Sequence, residues 1–315
     1  MFISRETLDD VLLELYPQLL VATDSVTATR GSMIEVVGAL LEITKPRARL
    51  SRSETRGKLF SGLGELLWYL TRDNRLDFIE RYIHRYRKES EDKVTVYGGY
   101  GPRLFSQRGC NQIENVINLL RLRPTSRKAV IQIFNAEDID TAHAEIPCTT
   151  SLQFLIRHGA LDLVVTMRSN DAYIGLPHDV FCFTMLQEIM SRALGLDIGV
   201  YRHFVASLHL YEDNRSGAQH FLDEGYQQRI EMPEMPQGDP WPMIAGVLEA
   251  EKRIRNAEKF EAGSLDLSDY WTDLVRLLQA FFAESDEERI ALLDQMAFRR
   301  YRPYVLGRLD SARGT

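Results

Sequence analysis

The stretch Met167–Phe181, MRSNDAYIGLPHDVF, decides how the chain around it is read. Before it, TSLQFLIRHGALDLVVTMRS (150–169) alternates in the manner of two strands, with a turn at His158-Gly159. After it, DVFCFTMLQEIMSRALG (179–195) has helical spacing and ends at a glycine. A hairpin thus runs into a polar turn and the turn into a helix. Arg168 enters where the strand is apolar on both sides, so the strand reads as buried on both faces. A guanidinium cannot shed its charge there and needs an anion or hydrogen-bonding groups, either an internal carboxylate or a phosphate that Ser169 would also contact. Asp179, directly after Pro177-His178, raises a second question. It is either the N-cap of the following helix or a carboxyl that chooses a substrate.

The remainder of the chain is compatible with one large α+β domain. It has 315 residues, 44% of them hydrophobic and 26% charged, which is ordinary for a globular protein. A formal net charge of −7, with no dominant basic stretch, argues against nucleic acid or a membrane surface as partner. No apolar run of membrane-spanning length and no signal-type segment is visible, and Cys110, Cys148 and Cys182 form no CxxC pair or disulfide framework. A cytoplasmic protein with reduced thiols is the expectation.

Outward from the central stretch, RETLDDVLLELYPQLL (5–20) has the pattern of an amphipathic helix and MIEVVGALLEIT (33–44) that of a strand with a bulge at Gly38. FSGLGELLWYL and DFIERYIHRYRKE read as helices, VTVYGGYGPRLF (94–105) as an ordered loop, and NQIENVINLLRLRP as a helix stopping before Pro124. KAVIQIFN (128–135) and VYRHFVASLHLYED (200–213) read as strands. The organisation is an α+β main domain over 1–236 and a helical C-terminal extension over 237–315.

P-loop, HExxH and EF-hand motifs are absent, and no metal site is predicted. In VASLHLY, alternation puts Val205, Ser207, His209 and Tyr211 on one face, able to hold a polyol such as a sugar or simply to meet water. Cys148 follows Pro147 in EIPCTTSLQF; on local grounds it reads as a small buried hydrophobe rather than a nucleophile. Glu65 points away from the face shared by Leu63, Leu66, Leu67 and Leu70, which by periodicity is a solvated position.

Taken in order, GELLWYL, SRKAVIQIFN, IPCTTSLQF, MRSNDAYIGLPHD and SLHLY resemble the thymidylate synthase family, from about Arg30 to Asn214. The resemblance implies a mixed sheet flanked by helices and an obligate homodimer whose sheets pack face to face. It implies that Cys148 adds to C6 of a pyrimidine nucleotide, so that C5 attacks the one-carbon unit of 5,10-methylenetetrahydrofolate. Arg168, Ser169 and Arg30 then resemble the phosphate ligands. Arg127 and Lys128 resemble the basic pair lent across the dimer, where the family usually has two arginines and Lys128 loses bidentate geometry. His209 and Tyr211 resemble the ligands of the sugar hydroxyl. Glu65 resembles the carboxylate that manages proton transfers, Asp171 with Gly175 the folate contacts, and Tyr100 the tyrosine of the pyrimidine-side loop.

At the position of Asp179 the synthases have asparagine, whose amide accepts from N3–H and donates to O4 of uracil. Cytosine presents the reversed edge, which a carboxyl sharing a proton with N3 satisfies. The mismatch is of a kind that costs on the order of 10⁴-fold in specificity. Asparagine caps helices as well as aspartate does, so capping does not account for the departure. The stretch MRSND resembles the phage deoxycytidylate hydroxymethylases. Thr149 replaces the family's histidine after the cysteine, and RRYRPYVLGRLDSARGT does not match the apolar tail that seals a synthase. Both departures favour attack by water over hydride delivery, and so a 5-hydroxymethyl product on dCMP or CMP. The alternatives are methylation or hydroxymethylation of dUMP, with Asp179 displaced from the base, and a silent member that binds nucleotide as a regulator.

Overall fold

The computed structural model describes residues 1–23, 25–28, 31–51, 58–226 and 228–311. Seven strands form one mixed sheet: β1 (Phe2–Arg5), β2 (Ser25–Ala28), β3 (Gly31–Ile43), β4 (Val130–Gln132), β5 (Thr149–Arg157), β6 (Ala160–Asp171) and β7 (Asp197–Tyr211). Their order is β1-β3-β7-β6-β5-β4, with β2 antiparallel to the start of β3. β1 runs parallel to β3 and β6 parallel to β7; the other pairings are antiparallel. The β5–β6 hairpin closes at His158-Gly159, both with positive φ (51° and 79°), as a two-residue turn matched to strand twist requires. Gly38 has φ 73°, yet the β3–β7 register runs unshifted from Met33↔Tyr211 to Ile43↔Tyr201. The expected bulge is therefore a local turn of the backbone with no residue inserted.

One face of the sheet, carrying Leu163, Val165, Met167, Tyr201 and Val205, is buried. The other carries Leu155, Val164, Thr166 and Phe204, half-buried or exposed although these positions belong to interior strands. The helices are α1 (Leu8–Val21), α2 (Leu59–Leu70), α3 (Leu76–Ile79), α4 (Tyr86–Glu89), α5 (Tyr100–Phe105), α6 (Gln112–Leu122), α7 (Gly175–Ala193), α8 (Arg215–Asp223), α9 (Trp241–Arg255), α10 (Asp269–Phe282), α11 (Asp286–Gln295) and α12 (Arg302–Ser311). Among the described residues no helix is long and apolar enough to cross a membrane.

Three elements differ from expectation. α7 begins at Gly175, a turn earlier than the sequence indicates, because Pro177 sits in the first turn, where its missing N–H has no helical partner to lose. DFIERYIHRYRKE is two short helices joined by turns. VTVYGGYGPRLF contains α5 rather than loop alone.

α2 is buried around nearly its whole circumference, with Ser61 the half-buried exception. It is held between α7 and the helices after residue 237. The Tyr82 ring lies over Gly64 of α2, stacks on Phe281 of α10 (5.1 Å, 23°) and donates its hydroxyl to Glu251 of α9 (3.0 Å). The buried Arg49–Glu188 pair (2.5 Å) ties α7 to the segment after β3, with Tyr270 of α10 and Tyr301 beside it.

Candidate active site

A cavity of about 500 Å³ opens beside the C-terminal end of β6 and the start of α7. Cys148 lies on its wall, immediately before β5. The β5–β6 register slips between Thr149 and Ser151, leaving Thr150 unpaired at a bulge of the kind that re-aims neighbouring side chains. Arg168 supports the same turn: Nε donates to the Pro147 carbonyl (2.9 Å), and Nη2 to the Ile146 carbonyl (3.1 Å) and Cys148 Sγ (3.6 Å). A fixed cation thus stands beside the sulfur. Nη1 of Arg168 and the hydroxyl of Ser169 make no hydrogen bond within the described residues, and both residues line the cavity.

His209 and Tyr211, at the end of β7, face the same space with their rings edge to face (5.0 Å, 82°). Ser207, expected to join them, turns away and donates to Glu35. Tyr100 stacks on Tyr69 (5.0 Å), and its hydroxyl donates to Thr149 Oγ1 (2.9 Å) and accepts from the Thr149 amide (3.2 Å). Burial pushes its phenol well above the ordinary range.

Glu65 is not solvated, as its helical periodicity indicates, but 7% exposed and part of the cavity wall. A helix buried all round has no solvent face for periodicity to find. Oε1 accepts from the hydroxyls of Tyr69 (3.0 Å) and Tyr86 (2.6 Å), and Oε2 is left toward the cavity with no hydrogen bond within the described residues. Burial first, then the charge of Glu65, pushes both phenols well up, so both remain donors.

Asp171 Oδ1 accepts the amides of Tyr173 (2.8 Å) and Ile174 (3.0 Å) ahead of α7. Its Oδ2 is buried without a partner among the described residues, as is Nε1 of Trp68 across the cavity. An unmatched acceptor and an unmatched donor lining one cavity are costly unless a ligand uses them. Gly175 lies beside Asp171; a Cβ there would come 2.9 Å from Asn170 Nδ2.

Asp179 is not the N-cap. It lies inside α7, and Oδ2 accepts from Asn170 Nδ2 (2.7 Å) while Oδ1 has no protein partner within the described residues. Burial, with Glu65 and Asp171 nearby, raises its pKa well above the carboxylate range. Asn170 Oδ1 in turn meets His203 Nε2 (3.1 Å), and His203 Nδ1 meets the Tyr201 hydroxyl (2.7 Å). Burial pushes the pKa of His203 down to about 3, so the ring is neutral. Sequence reasoning passed over Tyr69, Tyr86, Asn170 and His203, although Tyr69 stands in GELLWYL and Asn170 in MRSNDAYIGLPHD.

Two expectations lie elsewhere. Arg127 and Lys128 are exposed on the loop before β4, at the far edge of the sheet, and do not line the cavity. Arg30 lies outside the described residues.

The thymidylate synthase family model matches residues 53–273. The chain belongs to the thymidylate synthase family. It is 30% identical over 219 residues to a deoxyuridylate hydroxymethyltransferase of Bacillus phage SP01, covering 64% of this chain and 57% of that protein. It is 32% identical over 157 residues to a deoxyuridylate hydroxymethyltransferase of Pseudomonas phage M6 (49% and 45%). It is 28% identical over 233 residues to the thymidylate synthase of Symbiobacterium thermophilum (69% and 76%). The chain thus spans about half the length of the two phage relatives.

Proposed function

We propose that this member of the family transfers a one-carbon unit to C5 of a cytidine monophosphate, dCMP or CMP, and releases the 5-hydroxymethyl nucleotide. The observation that carries the reading is Asp179: one carboxyl oxygen is engaged by Asn170 and the other has no protein partner within the described residues, in a buried setting that raises its pKa and so favours the protonated form. A neutral carboxyl donates to cytosine N3 and accepts from its exocyclic amine, a pairing that a carboxylate alone cannot complete.

The second substrate, 5,10-methylenetetrahydrofolate, supplies the methylene. The unmatched Asp171 Oδ2 and Trp68 Nε1 suit a heterocycle that carries both donors and acceptors. The nucleotide phosphate is met by Arg168 and Ser169, with Arg127 and Lys128 arriving from a second subunit, and the sugar by His209 and Tyr211. Homodimerisation is supported by the half-exposed interior strands around Val164 and Phe204.

Cys148 Sγ forms a bond to C6, and the electron pair this releases makes C5 nucleophilic toward the methylene. Glu65 Oε2 manages the proton traffic as C5–H is lost and tetrahydrofolate leaves the nucleotide, giving an exocyclic methylene. Water adds to that carbon and Cys148 departs. The sum is nucleotide plus methylenetetrahydrofolate plus water, giving hydroxymethyl nucleotide plus tetrahydrofolate. Tyr86 and Tyr69 make the Glu65 end of the cavity hydrophilic, which suits water as the terminal nucleophile.

A second reading, action on dUMP, is favoured by the two phage relatives, both deoxyuridylate hydroxymethyltransferases. Tritium release from [5-³H]dCMP, CMP and dUMP with methylenetetrahydrofolate, followed by product mass, separates the two. Release from a cytidylate with gain of a CH₂OH group supports the proposal, and Asp179→Asn then moves activity toward uracil. Release from dUMP alone refutes it.

A further inference from the structure

Asp179 is the end of a line of buried polar groups. Tyr201, His203 and Asn170 are at most 4% exposed, and they connect Tyr201 Oη, His203 Nδ1, His203 Nε2, Asn170 Oδ1, Asn170 Nδ2 and Asp179 Oδ2 without a gap. Tyr201 and His203 come from β7 and Asn170 from β6, so the sheet holds the line rigid behind α7. Gly175 leaves the space through which the Asn170 amide reaches the carboxyl.

The line has a direction. A tyrosine hydroxyl and an imidazole can each be turned round, but an amide nitrogen only donates. With Nδ2 on Asp179, Asn170 offers its oxygen to His203, and Nε2 must carry the ring hydrogen. Nδ1 is then a lone pair that takes the hydrogen of Tyr201. Reversing the line would require Asp179 to spend its own hydrogen on Asn170 Oδ1.

We propose that Tyr201, His203 and Asn170 are positioning residues that keep Asp179 Oδ2 as an acceptor, hold the carboxyl hydrogen on Oδ1, and so set which pyrimidine edge the enzyme takes. The inference rests on the cytidylate reading and deepens it. A hydrogen on Oδ1 meets the lone pair of cytosine N3, whereas against uracil it meets N3–H, donor against donor. When the line is free to reverse, Oδ1 becomes an acceptor for uracil N3–H, and the penalty against uracil falls.

The test is the binding of dCMP, dUMP, CMP and UMP to the full chain, by calorimetry at one pH, for wild type, His203→Phe, His203→Gln and Tyr201→Phe. His203→Phe removes the donor to Asn170, and the cytidylate-to-uridylate ratio is expected to fall by roughly tenfold or more, the scale of one mismatched buried hydrogen bond. His203→Gln retains an amide donor and is expected to recover most of the ratio. Tyr201→Phe, the smallest change in volume, is expected to move the ratio the same way by a smaller factor, and it stands in if His203→Phe does not fold. A folded His203→Phe or Tyr201→Phe that weakens all four nucleotides equally overturns the relay while the cytidylate reading stands. A wild type that prefers uridylate overturns the cytidylate reading and the proposal with it.

Discussion

The hydroxyl of Tyr86 lies 2.6 Å from Oε1 of Glu65, and the hydroxyl of Tyr69 meets the same oxygen at 3.0 Å. Two donors on one oxygen fix the carboxylate plane and present the other oxygen to the cavity. Hydrogen bonds to charged groups contribute ~1.5–3 kcal/mol. Tyr86→Phe is therefore expected to lower kcat by roughly 10- to 100-fold with little change in nucleotide affinity. The measurement is tritium release alongside product formation. A Tyr86→Phe enzyme with unchanged kcat would show that the clamp does not orient Glu65.

Arg127 and Lys128 are exposed and remote from the cavity of their own chain. If they serve a partner's site, Arg127→Ala and Cys148→Ala proteins, each weak alone, complement when mixed. In a mixed dimer the site with an intact Cys148 receives its arginine from the other chain. Random exchange between two-fold dimers restores roughly a quarter of wild-type activity. No recovery after exchange, with dimers verified by mass, would place Arg127 outside the reaction.

His203 gives a stability prediction with a definite sign. Its folded pKa is pushed down to about 3 from an ordinary 6.5, because burial disfavours the imidazolium. Between those values the unfolded chain holds a proton that the folded chain does not, so stability rises with pH across the window and is lost as pH falls through it. The slope from this group is ~1.4 kcal/mol per pH unit. His203→Gln cannot titrate, so the wild-type melting temperature should drop relative to the variant as pH is lowered from 6.5. Parallel curves would mean that the ring is protonated in the folded state.

Much of this was legible in the sequence because local signals and tertiary needs agree there. His158-Gly159 marks the hairpin since only a turn with positive φ suits strands of this twist, and the order Cys148, Arg168, Ser169, Asp171 follows one strand pair into one cavity. Glu65 was misplaced by its own helix, because periodicity assumes a solvent face and α2 has almost none. The segment DFIERYIHRYRKE has a helical stripe, yet turns replace its middle, with Tyr82 stacked on Phe281 and Tyr86 bonded to Glu65. His203 was invisible for a different reason: its neighbours in sequence are ordinary strand residues, and its partner Asn170 lies on the adjacent strand.

Among the contacts by which the helices after residue 237 support the catalytic wall is a tight one that a single methyl group can test. A Cβ on Gly64 would fall 2.2 Å from Cγ of Tyr82, far inside contact distance, and the Tyr82 ring is backed by Phe281 and tethered to Glu251. Replacing glycine by alanine inside a helix ordinarily stabilises by ~1 kcal/mol. Overpacking of this kind costs ~1–3 kcal/mol, and with the ring held on both sides the cost dominates. Gly64→Ala is expected to lower stability in urea unfolding and to reduce turnover, since Glu65 is the next residue. In a Tyr82→Leu background, which removes the ring, the penalty should largely vanish, a coupling readable from the double-mutant cycle. An equal penalty in both backgrounds would mean that the Tyr82 ring does not set the position of α2, and that the extension supports the site by some other contact.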